Sequence, residues 1–314
     1  FLAAGLYYAK QKSTLDKALA LLKKCSALAD TIPSMWFEMG QVYDKLGKDK
    51  EELEAFRKFI QLDPENADAA GKIGAMLVAK RKYNDAMMFL ETANALKPNE
   101  PAYMVPLAQG YIQTDRSKDA LELLEKADKL KPDDETIRMT LFDLYKSTGQ
   151  SKKALDVMQQ IVQKKRDNKT LLKYAEALYL AGVYAQAEST IKDITATDPE
   201  NIAALMLYGK IQSIQGKWDD AVETYKEISY INPNYTPAIC ERADVYLNQS
   251  KLQWAKTFYD RALKADPNCA RAELGLAKLA KAQKDMTGYK QHLDKALSLD
   301  PNDKDILEEA GKKK

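Results

Sequence analysis

Prolines set the period of this chain. Pro64, Pro98 and Pro132 are 34 residues apart, and so are Pro199, Pro233, Pro267 and Pro301. Pro132 to Pro199 is 67 residues, two units less one. A small residue keeps nearly the same period at Gly5, Gly40, Gly74, Ala108, Ala175, Gly209, Ala243, Ala277 and Gly311, and only Phe142 breaks that column. A fixed period of this length marks a stack of repeated units, none of which can bury its apolar face alone. That constrains the fold more than length or composition does.

Each unit has an internal pattern. Trp36, Met39, Gly40 and Tyr43 fall at i, i+3, i+4 and i+7, and Ala86, Leu90 and Ala93 at i, i+4 and i+7. Such stripes predict two amphipathic helices per unit, A then B. Between them Gly47, Gly149, Gly182 and Gly216 share a column that Asp115 and Ser250 occupy in other units. Glycine there suits a left-handed helix C-cap. Pro64-Glu65-Asn66 and Pro132-Asp133-Asp134 read as the end of helix B and the N-cap of the next helix A.

At this point the chain resembles the tetratricopeptide repeat family. Unit two supplies Trp36, Gly40, Tyr43, Phe56 and Pro64 of that signature, and unit eight supplies Ala243, Tyr246, Ala255, Tyr259, Ala262 and Pro267. The resemblance covers essentially all of 1–314. It implies an all-α, right-handed superhelical α-solenoid of about nine helix-turn-helix repeats. Their expected bounds are 1–32, 33–66, 67–100, 101–134, 135–167, 168–201, 202–235, 236–269 and 270–303, with a tail helix at 304–314. No linker rich in Gly, Ser or Pro interrupts the series, so one continuous solenoid is expected rather than two domains.

Some units depart from the pattern. Unit one is a residue long in its turn. Unit two carries Glu52 and Phe59 where alanine is usual, which predicts less regular packing. Unit five has Phe142 in the small column, Arg166 in place of proline, and one residue too few. Unit nine has Gly288-Tyr289 at a small-residue contact. The tail places Leu307, Ala310 and Gly311 in register with helix A, as a capping helix or the start of a further repeat. Phe1, Ala4, Gly5 and Tyr8 already match helix A columns, so the chain reads as beginning inside a repeat, a fragment or a processed chain, with any targeting signal upstream.

Composition excludes several function classes. Lys+Arg 48 against Asp+Glu 46 leaves a net charge of +2, which gives no ground for nucleic acid or a membrane surface. No apolar run reaches the roughly 18 residues of a membrane helix, so no membrane insertion is expected. A soluble protein is the expectation, cytoplasmic or bacterial periplasmic. Cys25, Cys240 and Cys269 form no CxxC and read as small packing residues or incidental ones. His292 is the only histidine, and with no clustered cysteine beside it neither a triad nor a zinc-ligand role is expected of it. Phosphate-binding, dinucleotide, nucleophile-elbow and HExxH motifs are absent. The reading is therefore of a chain with no enzymatic activity, no cofactor and no metal. Asn168, Asn234 and Asn248 begin glycosylation sequons that chance explains. The Lys312–Lys314 run is a plain basic end.

What remains is a surface. In the family, helix A lines the concave side of the superhelix. The helix A residues left once the packing stripe is removed include Val105, Gln109, Ile112, Met139, Asp143, Leu172, Lys173, Glu176, Tyr179, Met206, Leu207, Lys210, Ile214, Cys240, Glu241, Asp244 and Leu247. Many are apolar, and an apolar strip rimmed by charge suits a bound peptide or amphipathic helix. The other reading, that some of them touch a neighbouring helix B and belong to the core, stays open on sequence alone. Pro106 falls on the same side of its helix, where it either kinks the helix or sits near enough to the first turn to be tolerated.

One family sub-function is testable by position. The carboxylate clamp for chaperone tails needs Lys, Asn and Arg at helix A sites. Here those sites hold Phe37, Gln41, Lys72, Ala102 and Pro106, or in a later frame Leu172, Glu176, Leu207, Pro237 and Glu241. Neither frame makes a clamp. The expectation is a non-catalytic scaffold holding a protein or peptide ligand in its groove. The alternatives are the substrate-selecting arm of a larger enzyme and a bacterial envelope or pilus assembly factor.

Overall fold

The computed structural model describes residues 1–9 and 12–311. Among these residues there are nineteen α-helices, one short 3-10 turn and no strand. The helices fall into two compact units, residues 1–150 and 151–314. The first holds α1 (Leu2–Tyr8), α2 (Leu15–Leu28), α3 (Pro33–Lys45), α4 (Asp49–Leu62), α5 (Ala67–Ala79), α6 (Tyr83–Leu96), α7 (Pro101–Gln113), α8 (Ser117–Leu130) and α9 (Glu135–Ser147). The second holds α10 (Ser151–Lys164), α11 (Asn168–Leu180), α12 (Tyr184–Thr197), α13 (Ile202–Ile214), α14 (Trp218–Ile231), α15 (Thr236–Asn248), α16 (Leu252–Ala265), α17 (Ala270–Ala282), α18 (Met286–Leu299) and α19 (Lys304–Glu309). Within each unit consecutive helices pack as pairs.

The period is built with little variation. Every helix A from α3 to α17 is 13 residues long, and every helix B from α2 to α18 is 14. From α3 to α18 each turn from A to B passes through one residue of positive φ: Gly47, Arg81, Asp115, Gly149, Gly182, Gly216, Ser250 or Lys284. The N–H that follows it reaches back to close the helix, as from Lys48 to the Tyr43 carbonyl at 2.9 Å and from Lys251 to that of Tyr246 at 2.8 Å. This is the Schellman arrangement. Arg81 and Lys284 adopt it without any turn signal in their identity.

Side chains cap the next helix A. Asn66 Oδ1 accepts from the Ala69 N–H and Asn201 Oδ1 from that of Ala204, each at 3.0 Å. Asp134, Asp167 and Asp303 do the same for α9, α11 and α19. The residue missing from repeat five is lost from the link, where Lys165, Arg166 and Asp167 replace the usual four residues, while α10 and α11 keep full length.

The small column has a direct steric cause. A Cβ on Gly40 would sit inside the Phe56 ring, and one on Gly209 would lie 2.5 Å from Tyr225 Cε1. Helix A must be thin there because helix B presents a ring. Phe142 is nonetheless fully buried on α9.

Repeat two keeps the common helix lengths, 13 residues in α3 and 14 in α4. Its Glu52 is fully buried and paired with Lys80 at 2.8 Å and Lys82 at 3.3 Å, and Phe59 packs on Phe37 with ring centroids 5.3 Å apart. The lysines of the next repeat thus neutralise the carboxylate that burial would otherwise disfavour. One expectation about the tail is corrected: Gly311 is not a helix A contact. α19 ends at Glu309, and Gly311 has φ +68° with open space around its Cα. Ile306 is the buried residue of that helix. The long first turn involves Lys10 and Gln11, and the basic end Lys312–Lys314; both lie outside the described residues.

Candidate peptide-binding surfaces

In the first unit α7 has two faces. Tyr103, Met104, Leu107, Ala108 and Tyr111 are buried in the repeat stack. On the other side Ala102, Val105, Pro106, Gln109, Ile112 and Gln113 line a hollow of about 740 Å³. Its far walls come from Ala75, Val78 and Ala79 of α5, Tyr83 of α6, and Thr136 and Ile137 of α9. The residues on α7 recur every three or four positions, so one helix face forms the floor. α7 runs unbroken through Pro106. Proline lacks the N–H that would bond the Ala102 carbonyl, which leaves an acceptor at the wall of the hollow. Val105, Gln109 and Ile112 line this hollow together. Met139 and Asp143 lie on α9 away from the hollow, the first half-buried and the second exposed.

In the second unit α11, α13 and the start of α15 form another hollow, of about 420 Å³. Leu172 and Glu176 of α11 face Met206, Leu207 and Lys210 of α13 across it. Ala203, Tyr235 and Pro237 close its ends. Leu172 and Leu207 are half-buried and also touch the core formed by Ala175, Leu178 and Ile191. They therefore serve both readings at once: their inner edges are core and their outer edges are open. Tyr179 packs on that core too, 6.1 Å from Tyr184 between ring centroids, and burial pushes its hydroxyl pKa up. Ile214 ends α13 and is exposed. Lys173 is half-buried on α11 and does not line the hollow. Cys240, grouped with the surface residues by its position, is fully buried, which removes it from any groove. Leu247 is half-buried against the core around Tyr259.

A charged run continues from Lys210 along the same helix A faces. Lys210 Nζ lies 3.3 Å from Glu241, and Glu241 lies 3.1 Å from Arg271. Arg271 also pairs with Asp244 at 2.9 Å, and the Tyr259 hydroxyl donates to Asp244. Burial and that carboxylate push the Tyr259 pKa up, so the hydroxyl remains a donor. Glu241 and Asp244 are thus largely occupied by neighbours, while Glu176 and Lys210 are the charged residues that line the hollow itself. Arg271 escaped the sequence reading because it belongs to repeat nine, and Tyr259 was read only as a packing residue of its helix B. Their columns carry no polar signature.

No group of three or more His, Cys, Asp or Glu side chains able to hold a metal stands together among the described residues. His292 Nδ1 is 2.7 Å from Glu273, a buried carboxylate that Lys295 also reaches at 2.6 Å. Glu273 is thus taken up within its own repeat by a lysine ion pair and a contact with the histidine ring. No helix among the described residues is long and apolar enough to cross a membrane. What the two surfaces offer is an apolar floor with spaced polar groups, suited to side chains of a bound segment.

Models of the tetratricopeptide repeat family match residues 1–167, 178–239 and 240–304. No curated protein sequence matches the chain. Among solved structures, a tetratricopeptide repeat protein from Parabacteroides merdae is similar with a TM-score of 0.70 at 18% identity, covering 78% of this chain and 98% of its own. PilW, a type IV pilus biogenesis factor, is similar at 0.52 and 19% identity, covering 66% and 97%. The APC/C hetero-tetramer Cut9-Hcn1 is similar at 0.52 and 14% identity, covering 98% and 61%. At such identities the likeness speaks of fold alone. The family match, which takes in more than half of the residues, and the helix pairs of constant length agree: the chain belongs to the tetratricopeptide repeat family.

Proposed function

We propose that this chain is a non-catalytic scaffold that binds an extended peptide or an amphipathic helix on its helix A faces. Repeats of this family serve protein–protein interaction and are generally without catalysis. The observation that carries the finer reading is the pair of hollows floored by helix A. In each, half-buried apolar side chains keep an open edge, Val105 and Ile112 in one and Leu172, Met206 and Leu207 in the other. Half-buried apolar edges in a concave site supply affinity, and the spaced Gln109, Glu176 and Lys210 supply register.

The test uses the two exposed alanines that line the hollows, Ala102 and Ala203. Linear peptides are selected from a random display library on the natural chain, and their affinity is measured by fluorescence polarisation. Ala102→Arg or Ala203→Arg fills one hollow without touching the core. One of them is expected to weaken binding at least tenfold with the melting curve unchanged. Equal affinity in both variants contradicts the reading. Likeness to a pilus biogenesis factor keeps envelope assembly as a second reading, with a bacterial envelope protein as the ligand.

A further inference from the structure

We propose that Cys240 and Cys269 form a redox-active pair, a modification site at which hydrogen peroxide joins α15 to the start of α17 through an intrachain disulfide. The two Sγ atoms lie 3.8 Å apart although 29 residues separate them in the chain. Both are free thiols. Cys240 is fully buried in the core of Ile239, Ala243, Phe258 and Tyr259, while Cys269 is half-exposed at the N-cap of α17. One sulfur therefore meets solvent and the other waits behind it. A bond of about 2.05 Å needs an approach of less than 2 Å, within reach of side-chain rotation.

The surroundings divide the roles. A hydrogen bond from the Cys240 thiol, helped by the Ala272 and Arg271 N–H groups at the positive end of α17, lowers the Cys269 pKa, against burial and the Asp266 charge. The same hydrogen bond, burial and the nearby Asp244 raise the pKa of Cys240, with Arg271 opposing them. Cys269, the sulfur that meets solvent, is thus the one that ionises first, and Cys240 the thiol that resolves it.

The steps balance. The Cys269 thiolate attacks the peroxide oxygen, an S–O bond forms, the O–O bond breaks, and hydroxide leaves to take up a proton. Cys240 Sγ then attacks the Cys269 sulfenic sulfur. The S–S bond forms, the S–O bond breaks, and the departing hydroxide takes the Cys240 proton and leaves as water. Two thiols lose two electrons and two protons, and one peroxide becomes two waters. The bond would fasten the seam that Arg271 already bridges to Glu241 and Asp244. Its effect falls on the joint between repeats eight and nine.

The folded chain is treated with equimolar hydrogen peroxide, alkylated and mapped by mass spectrometry. The expected product has lost two hydrogens and carries a Cys240–Cys269 crosslinked peptide, with buried Cys25 still alkylatable after unfolding. Cys240→Ala is expected to abolish the bridge and leave Cys269 as a sulfenic acid that dimedone traps. Repeating the oxidation in guanidinium chloride should remove the preference for this pair over Cys25. Four results overturn the proposal: Cys269 over-oxidised beside reduced Cys240 in the natural chain, a chain-to-chain dimer through Cys269, the same product mixture in guanidinium, or no reaction.

Discussion

Gly40→Leu is expected to lower stability by about 3 kcal/mol, more than enough to offset the roughly 1 kcal/mol that leucine gains in helix propensity. The cause is local and specific. The Phe56 ring occupies the space above the Gly40 Cα, and Phe56 is fully buried. Neither the ring nor its helix can retreat without opening the contact between α3 and α4. Phe56→Ala alone should cost about 3–5 kcal/mol by leaving a cavity. The double variant should cost less than the sum by about 1–3 kcal/mol, because the new leucine fills that cavity. Urea unfolding followed by circular dichroism measures all three. Additive losses would show that the glycine is required for some other reason.

The same exchange of volume recurs in several repeats. Where helix A has alanine, helix B offers an aliphatic residue at the matching position, as in Ala108 with Leu124, Ala175 with Ile191 and Ala277 with Leu293. Where helix A has glycine in repeats two and seven, helix B offers Phe56 and Tyr225. Repeats one and three depart from this by pairing Gly5 with Leu22 and Gly74 with Leu90, and repeat eight by pairing Ala243 with Tyr259. There the Tyr259 ring lies over Gly275 of α17 instead, so the space is found one helix further on.

Ile306→Asp is expected to unfasten repeat nine at a cost of about 3 kcal/mol or more, from lost burial and a carboxylate placed in an apolar site. Ile306 is buried among Leu274, Ala277, Leu293 and Ala296. α19 is held there by the Tyr289 hydroxyl, which donates to the Glu309 carbonyl at 3.1 Å, and by Lys281 at 2.6 Å from the Glu309 carboxylate. Tyr289, out of pattern for its column, thus fastens the covering helix. A stack is stabilised by nearest-neighbour contacts, so the loss should stay near that end. Hydrogen exchange should speed up in α17 and α18 and hold in α11 to α13. Unchanged exchange in α17 and α18 would mean that α19 covers nothing of consequence.

Period and stripe made the helices legible, because 34 residues divide into two helices, a turn and a link that the sequence punctuates with Gly, Pro and Asn. The turns at Arg81 and Lys284 were not legible, since the backbone geometry is imposed there by the helices on either side. Gly311 was read in the wrong role because a short helix ends before its column is reached. At the surfaces, Val105, Ile112, Leu172, Met206 and Leu207 line the hollows, whereas Cys240, picked by the same rule, is core, and the small Ala203 lines a hollow without any signal in the sequence. The Cys240–Cys269 contact was hidden for a geometric reason. A separation just short of one period sets the start of one helix A beside the middle of the one before it.

The most direct test of the central claim is where a bound peptide touches. A library-selected peptide carrying benzoylphenylalanine is photo-crosslinked to the natural chain, and the adducts are mapped by mass spectrometry. Adducts at Val105, Gln109 and Ile112, or at Leu172, Met206 and Leu207, are the predicted result. Adducts confined to helix B surfaces, such as the exposed Tyr230 of α14 and Trp254 of α16, would contradict it.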